Sequence, residues 1–248
     1  MKMKHVIGAL VICMVAATAA QASTLYVRYM NVSSGDYVTI QDTSPALGPK
    51  NTTAGIYNLE YRITPIPDPV PTGSGDTGTP LTSFCVDVID GSTTDWNIYT
   101  ELSPLSSVFS PTKAKDIGQL FTLAGLSPTG AWSSTFAGAI QACVWEIIRE
   151  DSGTYNLSGG DWTVTGLETF SPDNAGKAST WLTSLNTDDS TVEMADLTVL
   201  SNGTYQDFAI VKLPGVDPVP EPLTMASAFL AIAGLGGYIR RRTGRAAA

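Results

Sequence analysis

Two short segments carry the side chains best suited to chemistry, a thiol in one and a carboxamide in the other. Cys85 lies in Phe84-Cys85-Val86-Asp87-Val88, and Gln141 begins Gln141-Ala142-Cys143-Val144-Trp145-Glu146. A thiolate that attacks a glutamine carboxamide passes through a tetrahedral oxyanion and expels ammonia, which leaves an internal thioester. A thioester is an activated acyl group that an external amine can capture as a stable amide. The two segments therefore predict single-use covalent binding rather than catalytic turnover.

The pattern of the segment around Cys85 predicts a strand. Period-2 alternation places Cys85 and Asp87 on one face and the apolar side chains Phe84, Val86 and Val88 on the other. We therefore expect the thiol beside a carboxylate and away from the core face.

The pattern of the segment around Gln141 predicts a helix. Gln141 lies at the side of the apolar face of this helix. Trp145 lies one turn after Gln141, and the small residues Ala137 and Gly138 lie one turn before it, so a strand can approach closely. Asp87 and Glu146 are the nearest carboxylates for proton transfer. Trp145 is a candidate shield of the bond against water.

The two segments resemble the thioester domains of bacterial surface adhesins. In those domains a cysteine that follows an aromatic residue in a strand is joined to the glutamine of a Gln-x-x-x-Trp helix motif. Cys85 after Phe84 and Gln141 before Trp145 occupy these positions, over roughly Leu81 to Glu150. The chain departs from the pattern at Cys143, where the family more often has an aliphatic residue.

A disulfide is the main alternative, because Cys85 and Cys143 are the two cysteines left after removal of an N-terminal signal. In an oxidising compartment such a bridge would stabilise the fold by roughly 4 kcal/mol. Gln141 and Cys143 point about 200° apart on one helix, so Cys85 can meet only one of them. Two free thiols are the third possibility. A passive matrix or glycan-binding protein is the alternative function, with exposed Trp96 or Trp162 stacking on sugar.

The first 22 residues have the pattern of a signal peptide. Lys2 and Lys4 precede an apolar stretch, and Ala20-Gln21-Ala22 offers the small residues that signal peptidase requires. We expect the mature chain to begin at Ser23 and the protein to be exported.

Residues 219–248 have the pattern of a membrane tail. Val219-Pro220-Glu221-Pro222 precedes an uncharged apolar run, which Arg240-Arg241-Arg242 ends on the expected cytoplasmic side. This tail resembles the PEP-CTERM sorting signal of Gram-negative bacteria, which an exosortase recognises in the inner membrane. The resemblance implies a membrane-anchored precursor that is processed and then reaches the cell surface or extracellular matrix.

The composition between the two signals excludes several function classes. Residues 23 to 220 hold eight Lys or Arg and 22 Asp or Glu, so nucleic acid is not an expected partner. The single histidine, His5, lies in the signal peptide, which argues against Ser-His-Asp or Cys-His catalysis and against a zinc site. We expect no enzyme activity, metal or cofactor. The expected partner is an amine of a surface or matrix polymer or protein.

The patterning over residues 23–218 predicts one α+β domain, a β-sandwich or barrel with an inserted helical lobe. Strands are predicted at 24–32, 36–41, 55–63, 81–89, 191–200 and 205–213, and helices at 112–124, 134–150 and 172–185.

Overall fold

The computed structural model describes residues 23–43, 46–65, 77–88, 90–102, 105–126, 135–169, 171–187, 197–211 and 213. The chain divides into two units, Met1–Val216 and Asp217–Ala248, and all described residues belong to the first. The predicted signal peptide and the predicted tail lie outside the described residues. Within those residues, no helix is both long and apolar enough to cross a membrane.

Among the described residues, seven antiparallel strands form the sheet of this unit. In chain order they are β1 (Ser23–Thr43), β2 (Ala46–Pro65), β3 (Thr79–Cys85), β4 (Asn97–Leu102), β5 (Trp162–Thr165), β6 (Leu197–Ser201) and β7 (Phe208–Val211). They lie in the order β2-β3-β7-β6-β4-β1-β5, and β1 also pairs with β2. The pairings therefore close six strands into a ring, and β5 extends the sheet along the distal half of β1.

In the described part of the chain between β4 and β6 there are three α-helices. They are α1 (Pro111–Leu123), α2 (Ala137–Arg149) and α3 (Asn174–Thr187), and a short 3-10 helix at Leu105–Ser107 precedes them. Ser110 caps α1 by accepting a hydrogen bond from the Lys113 N–H, and Pro111 takes the first helical position, where no N–H is needed. The predicted α+β class is confirmed, with helices inserted between strands of an antiparallel sheet.

Helix α2 is the central helix. It packs against β2 and contacts both other helices. Every residue from Ala137 to Ile147 is buried, which fits a helix that is apolar on almost every side.

The long strands β1 and β2 correct the predicted boundaries. The sequence suggested a break around Ser33-Ser34-Gly35, yet one strand runs through it with a register shift between Ser33 and Asp36. Ser34 has a positive φ of 52° at this irregularity. A β-carbon on Gly55 of β2 would meet the Gly35 Cα at 2.7 Å, so two facing glycines let the strands stay paired across the shift.

Strands β4 and β5 were not predicted. The first has a mixed polar sequence, and the second has only four residues. Both are strands because β1 pairs with them, at Leu25 to Tyr99 and at Ile40 to Val164 among others. This pairing is tertiary context that local propensity does not report.

Candidate functional site

The Gln141 carboxamide and the Cys85 peptide unit are joined by two hydrogen bonds. The Cys85 N–H donates to Gln141 Oε1 at 2.8 Å, and Gln141 Nε2 donates to the Cys85 carbonyl at 2.7 Å. Neither residue exposes any surface to solvent. The structure therefore brings together the two residues that the sequence motifs had paired.

The carboxamide takes the place of a missing strand neighbour. Pairing between β2 and β3 ends at Tyr57 and Ser83, and the Val86 N–H already donates to the Asp207 carbonyl on the β7 side. Because peptide groups alternate in direction along a strand, the Cys85 N–H and C=O face the side that β2 has left. Gln141 satisfies both groups, which would otherwise be buried without a partner.

This arrangement suits attack on the amide carbon. An oxyanion that develops on Oε1 would be received by the Cys85 N–H, a donor already at hydrogen-bond distance. The two hydrogen bonds hold the carboxamide in one orientation against the cysteine backbone, which lowers the entropic part of the barrier.

The Cys85 thiol is protonated at neutral pH. Burial raises its pKa to about 12, while interactions with the Trp145 side chain and the Asp87 backbone lower it. The sulfur lies 2.8 Å from the Asp87 carbonyl oxygen. We had expected Cys85 to face away from the core. That expectation is wrong, because Val86 on one side of the strand and Cys85 on the other are both buried.

Trp145 lies one turn beyond Gln141 and is 1% exposed. Its indole Nε1 makes no hydrogen bond of standard geometry, yet it lies close enough to favour the Cys85 thiolate. The indole therefore lies beside the sulfur on the helix side.

The two predicted carboxylates are placed differently. Asp87 is half-buried next to the thiol, where its charge raises the Cys85 pKa. Glu146 is fully buried on another side of α2, where its Oε1 accepts from the Asn156 N–H at 2.5 Å and its charge acts on Cys143. Among the described contacts, none joins Glu146 to Cys85.

Cys143 lies in the interface between α2 and α3. Its sulfur is 3.7 Å from the Ala178 carbonyl oxygen, and burial raises its pKa well above the usual range. Both cysteines are free, so the alternative disulfide is not formed in this conformation.

The small residues before Gln141 have a different neighbour from the predicted one. A β-carbon at Gly138 would meet the Asp36 carboxylate and would lie 3.2 Å from the Ala54 carbonyl. The absence of a side chain at Gly138 thus allows close approach of β1 and β2, and not of β3, which carries Cys85.

The tryptophans proposed for sugar stacking are not exposed. Trp162 is fully buried beneath Arg149, with the guanidinium carbon 5.9 Å from the ring centre, and Trp96 is 8% exposed beneath Arg28 at 4.7 Å. The expectation of exposed aromatic platforms is therefore wrong for both residues.

Other residues near the thiol were missed in the sequence. Asp207 raises the Cys85 pKa through its charge, and Tyr57 and Tyr99 in turn feel the charge of Cys85. Phe208 is the ladder partner of Cys85. They come from β2, β4, β7 and the residue just before β7, so no local pattern in the sequence links them to the cysteine.

Comparisons with known proteins identify no relative of this chain: no family model, no curated protein and no solved structure matches it. The predicted sorting residues Val219, Pro220, Glu221, Pro222, Arg240, Arg241 and Arg242 lie outside the described residues.

Proposed function

We propose that this protein is an exported surface or extracellular-matrix protein that attaches covalently to amine-bearing targets through a Cys85–Gln141 thioester. The observation that carries the proposal is the pair of hydrogen bonds between the Gln141 carboxamide and the Cys85 peptide. They hold an otherwise unreactive amide against the backbone of the cysteine in a site closed to solvent.

The thioester can form without an external acid or base, because the thiol itself supplies the proton that the leaving nitrogen needs. The Cys85 sulfur bonds to the Gln141 amide carbon, the carbon–nitrogen bond breaks, and the thiol proton passes to the departing nitrogen, which leaves as ammonia. This route suits a thiol whose burial disfavours a free thiolate. It also suits a mature chain without histidine.

Burial of the pair supports persistence of the product. Cys85 and Gln141 are both fully inaccessible, and Trp145 adds a large apolar cover. Water is thereby kept from a bond that it would otherwise hydrolyse.

Export and sorting complete the proposal. Residues 1–22 direct export and are removed by signal peptidase, and residues 219–248 hold the precursor in the inner membrane until an exosortase processes the Pro220-Glu221-Pro222 motif. These steps are supported by the sequence patterns at the two ends.

Intact mass combined with a thiol count tests the site. A thioester lowers the mass of residues 23–218 by one ammonia and leaves one alkylatable thiol, Cys143, in denaturant. A disulfide removes two hydrogens and leaves no thiol. Unmodified cysteines leave two thiols and the full mass. Loss of ammonia with two thiols would indicate an amide between Gln141 and a lysine, and would overturn the thioester.

Alanine variants test whether Cys85 and Gln141 are the two residues that form the thioester. Cys85→Ala and Gln141→Ala should each show the full mass calculated from its sequence, with no loss of ammonia, and form no adduct with methylamine. Cys143→Ala should still form the adduct and cost about 1 to 2 kcal/mol of packing. Adduct formation by Gln141→Ala would show that another group reacts.

Processing is tested separately in the producing cell. Replacing Pro220-Glu221-Pro222 by alanines should leave the full-length tail attached to an inner-membrane precursor, because the apolar run remains while the motif is lost. Unchanged processing of that variant would contradict the exosortase proposal.

A further inference from the structure

A cleft of about 230 Å³ opens at the surface, and one of its lining residues is Tyr57, which feels the charge of the buried Cys85. Residues from β1, β2, the segment after β3 and the segment before β7 line it. Those that matter here are Tyr29, Lys50, Tyr57, Asp90 and Gln206.

Aromatic rings connect the cleft to the buried pair. Tyr29 at the cleft packs on Tyr57 with ring centres 6.0 Å apart, and Tyr57 packs on Phe208 at 5.7 Å. Phe208 is the ladder partner of Cys85. Tyr57 therefore forms the wall between the cleft and the thiol, and it is 4% exposed.

The cleft already holds an ammonium group of the chain itself. Lys50 Nζ donates to the Val88 carbonyl at 3.3 Å, and its charge acts on Asp90. Asp87, the carboxylate two residues beyond Cys85, lies near enough to Asp90 to raise the Asp90 pKa. A carbonyl oxygen and a carboxylate beside a cation are what a lysine head group needs for binding.

We propose that this cleft is the docking site for the target amine, and that it selects a cationic primary alkylamine such as a lysine side chain. The inference rests on the proposed thioester and names the substrate of that site. Asp90 and the Val88 carbonyl bind the ammonium in place of Lys50, and the rings of Tyr29 and Tyr57 flank the alkyl chain. Rotation of the Tyr57 side chain then opens the way to Gln141.

Acyl transfer from the Cys85 sulfur to the docked amine can use Asp90 and Cys85 to accept the two protons that the amine loses. Asp90 takes one proton from the docked ammonium, and the neutral nitrogen attacks the Gln141 acyl carbon. The carbon–sulfur bond breaks, and the Cys85 sulfur leaves with the electron pair and takes up the second amine proton. The products are a secondary amide at Gln141 and a free Cys85 thiol.

A comparison of two nucleophiles distinguishes binding of a positive charge in the cleft from the intrinsic reactivity of the thioester. Butylamine is a cation at neutral pH, and hydroxylamine is uncharged. Second-order rates of adduct formation are measured by intact mass for the wild type, Asp90→Asn, Lys50→Met and Asp95→Asn. Asp95 is an exposed carboxylate outside the cleft lining and serves as the matched control.

We expect Asp90→Asn to slow butylamine about five- to tenfold and to change hydroxylamine less than about twofold, since only the cation needs the carboxylate. Lys50→Met should speed butylamine, because a competing ammonium is removed. Asp95→Asn should change neither rate.

Equal slowing of both nucleophiles by Asp90→Asn, equal effects of Asp90→Asn and Asp95→Asn, or slower butylamine labelling in Lys50→Met would each overturn the cleft assignment while leaving the thioester intact. If wild-type protein forms no adduct with hydroxylamine, the proposed function itself fails and the cleft assignment fails with it.

Discussion

The Asp36 carboxylate on β1 lies against Gly138 in the first turn of α2. Asp36 is fully buried and accepts a hydrogen bond from Asn174 Nδ2 and another from Thr169 Oγ1. The N-cap residue Phe136 offers no side-chain cap, so this carboxylate supplies the negative charge that a helix N-terminus favours. The contact fixes how deeply α2 sits, and Gln141 follows one turn later.

Gly138→Ala should destabilise the protein by about 1 to 3 kcal/mol, although alanine is the better helix former, because its β-carbon would overlap the Asp36 carboxylate. Urea unfolding measures the change. Gly176→Ala is the matched control in α3, where a β-carbon meets nothing within 4 Å, and it should stabilise by about 0.5 to 1 kcal/mol. Equal effects of the two variants would show that Gly138 is not a close-approach site.

Gln141→Met should destabilise the protein by about 2 to 4 kcal/mol, because it leaves the Cys85 N–H and C=O buried without partners. Gln119→Met is the control, since Gln119 is also buried but neither atom of its carboxamide has a hydrogen-bond partner among the described residues. That variant should be neutral or stabilising. The two free energies of unfolding are compared with Cys85→Ala as background, so that loss of a covalent bond does not contribute. A similar cost for both variants would contradict the assigned role of Gln141.

Stability should fall between about pH 4.5 and pH 7 through Glu146. The ordinary pKa of a glutamate is 4.5. Burial and the nearby charge of Glu150 raise the Glu146 pKa to about 7, although the hydrogen bond from the Asn156 N–H acts to lower it. The folded state therefore holds a proton that the unfolded state has lost, so this contribution is present below pH 4.5 and disappears as pH rises through 7.

Glu146→Gln should remove about 1 to 3 kcal/mol of that pH dependence, measured as the difference in unfolding free energy between pH 5 and pH 7.5. Glu168→Gln is the control, because Glu168 is exposed. An unchanged pH slope in Glu146→Gln would mean that this carboxyl titrates normally.

Trp145→Phe should shorten the life of the proposed thioester, because a smaller ring leaves room for water beside the sulfur. Mass spectrometry would follow the gain of one water over time as the bond hydrolyses. Trp181→Phe removes a comparable buried indole, which packs edge-to-face on Phe136 at 6.4 Å, and should leave the hydrolysis rate unchanged. Equal acceleration in both variants would indicate general loosening rather than loss of a specific cover.

The sequence by itself determined the local elements and the pair of residues that meet. Helical and strand periodicity located α1, α2 and α3 and most of the strands, because that periodicity reports which face of an element is buried. The motifs around Cys85 and Gln141 identified the two segments, and helical geometry separated Gln141 from Cys143 by direction.

Only the tertiary structure decided what surrounds the pair. The strand character of β4 and β5 depends on β1 beside them, and the burial of Cys85 depends on α2 covering a face that alternation alone leaves open. Gly138 faces Asp36, and Trp96 and Trp162 lie beneath arginines, through contacts between residues far apart in the chain. Local patterns record how a segment divides its polar and apolar faces. Which neighbour fills each face is set by the closure of the sheet and the packing of the helices on it.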